Sequence, residues 1–476
     1  MQARLAAWIL CVVAAACSEE EGGSQASPPD AGGSAATGGG GSSGSSGTTG
    51  TGGASGSGGT TSSGGSSGTS GSGGSAGAVS SGGSSGAGGA PSACGGRPPK
   101  TAPPLPAPTG TVVEVSTAAD LMNAVANAEN GATIELVDGT YYLPNILRFR
   151  GGKTGVTLRS KSGNRDAVVI DGSQSASGEM IWFEDVKDIT VAQVTVQNAN
   201  IHCFTVKGEA DADGVRIYDV RIRNCWERYV KGTAPNPISG ADPAKRPRNG
   251  RIEYCSFEQD YKKQLDDVAG GDYIGGIDMM WLDNWVISDN VFRGIQGKNN
   301  QGRAAIFIWN TSEDVLVERN LVVDCDTGLA FGNPSGAPLH VTRGTMRNNM
   351  VTRGAYKAVE LVRTQDSEIY NNSVYSAVAF DRAFHSFEGS AGIRIFNNLV
   401  HGQLIRVDDA GGTVENNLVG DLSGVFVDPA AGDLHLSASG APRAIGQGQA
   451  VAAGVGDYDT DPRPAAPALG ADECTP

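Results

Sequence analysis

The sequence is poor in the residues that most often carry chemistry. Its five histidines and eight cysteines form no C-x-x-C pair and no H-x-x-x-H pair, so the spacings that mark a zinc site are missing. No G-H-G segment occurs, and the only aspartate doublets are Asp266-Asp267 and Asp408-Asp409. That leaves out the clustered aspartates of the common glycan-hydrolysing sites. Positive charge is also short: 36 Lys and Arg stand against 51 Asp and Glu, a net charge of −15. Such a balance argues against a general affinity for nucleic acid or an anionic membrane surface, so no nucleic-acid partner is expected.

Glycine is what the chain has in excess, 70 residues in all, most of them before residue 93. Met1 to Cys17 carries an early Arg4, an apolar run from Leu5 and Ala14-Ala15-Ala16 before Cys17. The run is too short for a membrane span and reads as an export signal. It resembles a bacterial lipoprotein signal, which implies lipidation at Cys17, an outer-membrane or cell-surface location and contact with the membrane through that anchor only. Cleavage without lipidation would instead leave the protein extracellular. Residues 18–92 are almost wholly Gly, Ser, Thr and Ala with no apolar periodicity. They are expected to be a flexible spacer, with a typical reach of ~45 Å for about 70 residues. A Pro-rich lead-in, 93–110, follows.

Beyond it one frame recurs. Asn290, Asn320, Asn349, Asn372, Asn398 and Asn417 occupy the same place in six copies, with Val194, Val220 and Cys255 there in three earlier ones. Three residues before each runs an apolar column: Val191, Ile217, Ile252, Ile287, Val317, Met346, Ile369, Ile395 and Val414. The period lies in the range of solenoids, and Val/Ile/Leu alternation with Gly and Asn at the corners indicates strands. One such coil cannot bury its apolar face, so coils must stack, and stacked asparagines would pair with the coils above and below.

With this frame, residues 111–476 resemble the right-handed parallel β-helix families, the pectate-lyase-like superfamily. The segment Ile134 to Tyr141, I-E-L-V-D-G-T-Y, resembles the first coil of polysaccharide-lyase-like members. The expected fold is all-β, a right-handed parallel β-helix. Leu121, Met122 and Val125, at helical spacing behind Ser116-Thr117, predict an N-terminal capping helix. Asp433-Leu434-His435-Leu436, Asp457-Tyr458-Asp459 and Gly470-Ala471-Asp472 resemble the closing segment of secreted bacterial members, a structural cap without chemistry. Cys94 and Cys474 flank the fold and are the pair that could close its ends by a disulfide. Cys203, Cys225, Cys255 and Cys325 read as buried small residues.

Many activities sit on this fold, so function must come from residues. Aligning the strand after each ladder position predicts an inward series that includes Arg228 and Val230. It places Lys207 and Lys231 side by side in an outward lane, about one strand spacing of ~4.8 Å apart. Residues 205–263 hold 12 Lys and Arg against 9 Asp and Glu in the acidic chain, a basic island suited to an acidic polysaccharide. The superfamily resemblance implies the fold and a polysaccharide substrate class only, since no family catalytic set maps onto this sequence; the expected activity is a polysaccharide lyase that cleaves a uronate polymer by β-elimination, with a non-catalytic surface glycan binder as the alternative. A lyase must neutralise the sugar carboxylate and supply a base. Lys231 or Lys207 is the candidate base, and Arg228 and Arg303 are candidate carboxylate clamps. Glu209, Asp211, Asp213 and Asp278 are candidate Ca²⁺ ligands. Trp309 and Trp281 are candidate sugar platforms. Glu360 and Arg363, with His385, form a second binding region on later coils. The chain is expected to act as a monomer.

Overall fold

A computed structural model describes residues 93–263, 272–352, 357–376, 382–402, 405–408 and 412–475. Cys17, the signal and the spacer lie outside the described residues. The strands wind into three long parallel sheets of 12, 11 and 10 strands, in which each strand bonds to its counterpart one coil away. The protein is a right-handed parallel β-helix.

The apolar column of the repeat is one row of the first sheet: Val191, Ile217, Ile252, Ile287, Val317, Met346, Ile369, Ile395 and Val414 pair in that order, and all are buried in the core except Val414, which is exposed on the last strand. The corner into the second sheet is made by the residue just before each ladder position. Asp289, Arg319, Asn348, Asn371, Asn397 and Asn416 all have φ between 50° and 60°, the left-handed region that Asn and Asp tolerate best among residues with a Cβ. The bend frees backbone groups, and the ladder satisfies them. Each of Asn290, Asn320, Asn349 and Asn372 donates Nδ2 to the Oδ1 of the next Asn and to a carbonyl of the preceding coil. Cys255 holds the same place with its Sγ directed at the Ile217 carbonyl, 3.4 Å away.

The helix Ala118–Asn127 is capped by Thr117, whose Oγ1 accepts the Asp120 N–H. It buries Leu121 and Val125 against the first strands. At the other end, the antiparallel pair Phe426–Asp428 and Asp433–Leu436 lies with the final segment over the second sheet, burying Leu422, Leu434, Leu436 and Leu469 with Met350 and Leu399. The corner asparagines hold this segment: Asn348, Asn371, Asn397 and Asn416 donate to carbonyls of Gly456, Ala468, Gln449 and Gln447. A disulfide joins Cys94 to Cys474, and a second joins Cys203 to Cys225. The second corrects the reading of these two as independent small core residues: their coils are adjacent, with Cα atoms 5.7 Å apart. Cys255 and Cys325 are buried free thiols.

Candidate functional site

The outer face of the third sheet gathers most of the chemistry. Its strands do not alternate strictly. Tyr229 and Val230 both enter the core, as do Cys203 with Phe204, Ala305 with Ile306, and Ala358 with Val359. Arg228 and Lys231, on either side of such a pair, therefore both leave the core. Strict alternation had put Arg228 inside and shifted this strand by two positions. In the observed register Val230 pairs with Phe204 and Ile277, and Lys231 lies between Thr205 and Asp278. Lys207 and Lys231 are consequently not neighbours, and the expected lysine pair is replaced by two separate arrangements.

In the first, Asp278 accepts from Arg228 Nε at 2.5 Å, from Lys231 Nζ at 3.3 Å and from Trp309 Nε1 at 2.9 Å. The Arg228 side chain passes over Gly275, where a Cβ would stand 3.6 Å from its Cδ and 3.1 Å from the Ala304 carbonyl. Tyr273 closes the arrangement, its ring 3.6 Å from the guanidinium and its hydroxyl 3.4 Å from Lys231 Nζ. Arg228 is 0% and Asp278 1% exposed. Burial opposes ionisation of Asp278, but the charges of Lys231 and Arg228 outweigh it and hold the carboxyl well below its usual range. Burial likewise opposes the Lys231 ammonium, and Asp278 and Tyr273 more than compensate, so its pKa lies above the ordinary value. Here Lys231 is a fixed cation with no lone pair to offer. Among the described residues Arg303 meets the Phe307 ring, 5.7 Å from the guanidinium, beside Gly275.

The second arrangement lies toward the N-terminal coils. Trp182 is in register with Arg148 and Thr205, and its ring lies 4.3 Å from the Arg148 guanidinium and 4.2 Å from Lys207 Nζ. His202 stands between two carboxylates, Nδ1 3.7 Å from Glu179 and Nε2 3.6 Å from Glu227. Glu179 also accepts from Trp182 Nε1 and, at 2.5 Å, from Thr205 Oγ1. Burial raises its pKa, but His202, Thr205 and Lys207 together bring it down to about 2. Arg148, Trp182, His202 and Lys207 remain partly exposed. Sequence reading missed Glu179, Trp182 and His202. The signal was present in the column Arg148, Trp182, Thr205, but only the correct register brings it out.

The other expected positions are dispersed. Trp281 is 2% exposed and locked at φ 60°, so its ring cannot serve as a sugar platform, and Trp309 is buried with its N–H committed to Asp278. Glu209 bonds to Thr233, and Asp213 accepts the Arg248 N–H. Glu209, Asp211, Asp213 and Asp278 do not converge as a Ca²⁺ site: among the described residues the one group of three metal-ligating side chains within 4.8 Å is His435, Asp459 and Asp472. On the later coils Glu360 pairs with Lys357, Arg363 reaches Glu388 at 3.8 Å and His385 meets Asp408 at 2.9 Å. The basic island is largely neutralised, since Arg216, Arg221, Arg223 and Arg248 pair with Glu253, Glu258, Asp260 and Asp283. Parallel stacking puts a carboxylate of the next coil within reach of each arginine.

A family model described as periplasmic copper-binding protein (NosD) matches residues 215–419. No curated protein matches. Among solved structures, pectate lyase Pel9A aligns at 12% identity over 77% of this chain and 97% of its own, with a TM-score of 0.56. An alginate lyase from Paenibacillus sp. str. FPU-7 aligns at 14% identity over 65% of this chain and 98% of its own, TM-score 0.43. PfbA, a surface adhesin of Streptococcus pneumoniae, aligns at 12% identity over 63% and 84%, TM-score 0.40. At these identities the likeness to the pectate lyase establishes the parallel β-helix, and the activity must be argued from the side chains.

Proposed function

We propose that the protein is exported and acts on a uronate-bearing polysaccharide along the outer face of the third sheet, cleaving it by β-elimination. The observation that carries this reading is the half-buried indole of Trp182 with the Arg148 and Lys207 cations against its ring and His202 beside it. A sugar ring stacks on an indole, and a carboxylate pairs with the flanking cations. In the reaction the Lys207 side chain, in its amine form, takes the C5 proton, alpha to the sugar carboxylate; both ring nitrogens of His202 are buried between Glu179 and Glu227 and hold those carboxylates in place. The electron pair forms the C4=C5 double bond, the C4–O bond breaks, and the leaving oxygen takes a proton from water. Arg148 stabilises the charge that builds on the carboxylate before the bond breaks. Arg228, Lys231 and Asp278 hold the neighbouring coils in place. A protein cation supplies the neutralisation in this scheme, and addition of Ca²⁺ or a chelator should leave the rate unchanged.

The disulfides support an oxidising compartment, in keeping with export and anchoring through Cys17. The matched family is named for copper, but among the described residues of 215–419 no three His, Cys, Asp or Glu side chains converge. The test is the ultraviolet absorbance of unsaturated uronate on pectate, alginate and glycosaminoglycan panels. Product that disappears in Lys207→Ala while the polymer still binds is the expected result. If no polymer yields product, but binding occurs and weakens with salt and in Lys207→Ala, the face is a glycan-adhesion surface instead. The arrangement of cations around Trp182 suits that second reading without any base.

A further inference from the structure

The C-terminal cap brings together three side chains from separate segments. His435 lies on the strand Asp433–Leu436, Asp459 follows Tyr458, and Asp472 lies in the closing segment. One ligand atom from each lies within 4.8 Å of the others. His435 Nε2 is 2.8 Å from Asp459 Oδ2. Asp472 is 1% exposed; its Oδ2 accepts the Leu436 N–H at 2.8 Å, and its Oδ1 is buried without a hydrogen-bond partner. An unpaired carboxylate oxygen in the interior is costly and calls for a positive partner. Arg97 acts on Asp472 only through its charge; its ion pairs are with Asp459 at 3.8 Å and Asp461 at 3.6 Å. Lys100 is directed to Asp289 and the Tyr458 ring.

We propose that His435 Nε2, Asp459 and Asp472 bind a divalent first-row transition-metal ion, zinc or manganese, that fastens the closing segment to the cap hairpin. The donor set selects this class. One imidazole nitrogen and two carboxylates suit zinc or manganese, whereas calcium prefers six to eight oxygens. The second requirement of such a site is also present: His435 Nδ1 lies 2.5 Å from Asp433 Oδ1, the carboxylate–imidazole contact that fixes the tautomer and leaves Nε2 for the metal. On binding, Nε2 releases its proton to solvent, and the ion takes the place of that proton between His435 and Asp459. This site is independent of the glycan reading, since it lies on the cap over the second sheet.

The experiment uses the purified full-length chain, stripped with a chelator and dialysed separately against Zn²⁺, Mn²⁺ and Ca²⁺. Bound metal is counted by mass spectrometry and Tm recorded with and without each ion. One equivalent of zinc or manganese per chain with a raised Tm is expected, and no calcium. Asp472→Asn keeps an acceptor for the Leu436 N–H but removes the charge, and should weaken binding at least about 100-fold. Asp433→Asn should weaken it about 10- to 100-fold. Asp459→Asn, at a half-exposed position, serves if Asp472→Asn fails to fold. A wild-type chain that retains neither zinc nor manganese overturns the proposal, as does full binding by Asp459→Asn or Asp472→Asn.

Discussion

Replacing Asn349 with alanine tests the asparagine ladder where it is most demanding. The Asn349 side chain makes four hydrogen bonds. Oδ1 accepts the Asn320 N–H and Nδ2 donors, both at 3.0 Å, and Nδ2 donates to the Val317 carbonyl at 3.0 Å and to Asn372 Oδ1 at 2.9 Å. All of these residues are at or near complete burial, so water cannot replace the lost partner. Each buried group left unpaired costs ~1–3 kcal/mol, and because the losses share one site a total of about 4 kcal/mol is the reasonable expectation. Asn417 also makes four: Oδ1 accepts the Asn398 N–H and Nδ2 donors, and Nδ2 donates to the Ile395 carbonyl and, where Asn349 has the next asparagine, to the Glu415 carbonyl. It sits at the last rung and is half-exposed, so hydration offsets most of the loss and about 1 kcal/mol remains. With a urea m-value at or above ~3 kcal/mol/M, Asn349→Ala should lower the midpoint by about 1 M and Asn417→Ala by a few tenths. Far-UV circular dichroism and tryptophan fluorescence would follow unfolding together, which also checks for separate transitions. Equal midpoint losses in the two variants would refute the ladder as the source of stability.

Asp278→Asn should destabilise the protein by about 3–5 kcal/mol, because Arg228 and Lys231 would remain buried without a counter-charge; a midpoint within error of wild type would dismiss that pairing. Acid should weaken the fold through Glu179 and Asp278. Their folded pKa values are lowered, so the stability they supply is complete above the ordinary value of 4.5 for Glu179 and is lost as pH falls toward about 2. Glu179→Gln should flatten that acid limb in a pH series of thermal melts, and an unchanged slope would count against it. Cys17→Ser should release the protein from membranes to the soluble fraction without changing its Tm, and a variant still in the membrane pellet would exclude anchoring at that residue.

The sequence by itself determined the coil. Every member of the apolar row from Val191 to Val414 pairs as its spacing implies, because one apolar residue per coil at a fixed distance from the ladder position admits only one stacking register. The tight corner reinforced this, since the residue before each ladder asparagine must take positive φ. The third sheet was not legible in the same way. Its strands carry two consecutive core residues, so a period of two misplaces the strand that holds Arg228, and the error moves Lys231 from Asp278 to Lys207. Only the tertiary structure decided which charges meet: His202 between Glu179 and Glu227, Trp182 between Arg148 and Lys207, and His435 beside Asp459 and Asp472. These residues are far apart or irregularly spaced along the chain. They become neighbours because stacking coils and folding back the C-terminal segment set distances that no local pattern records.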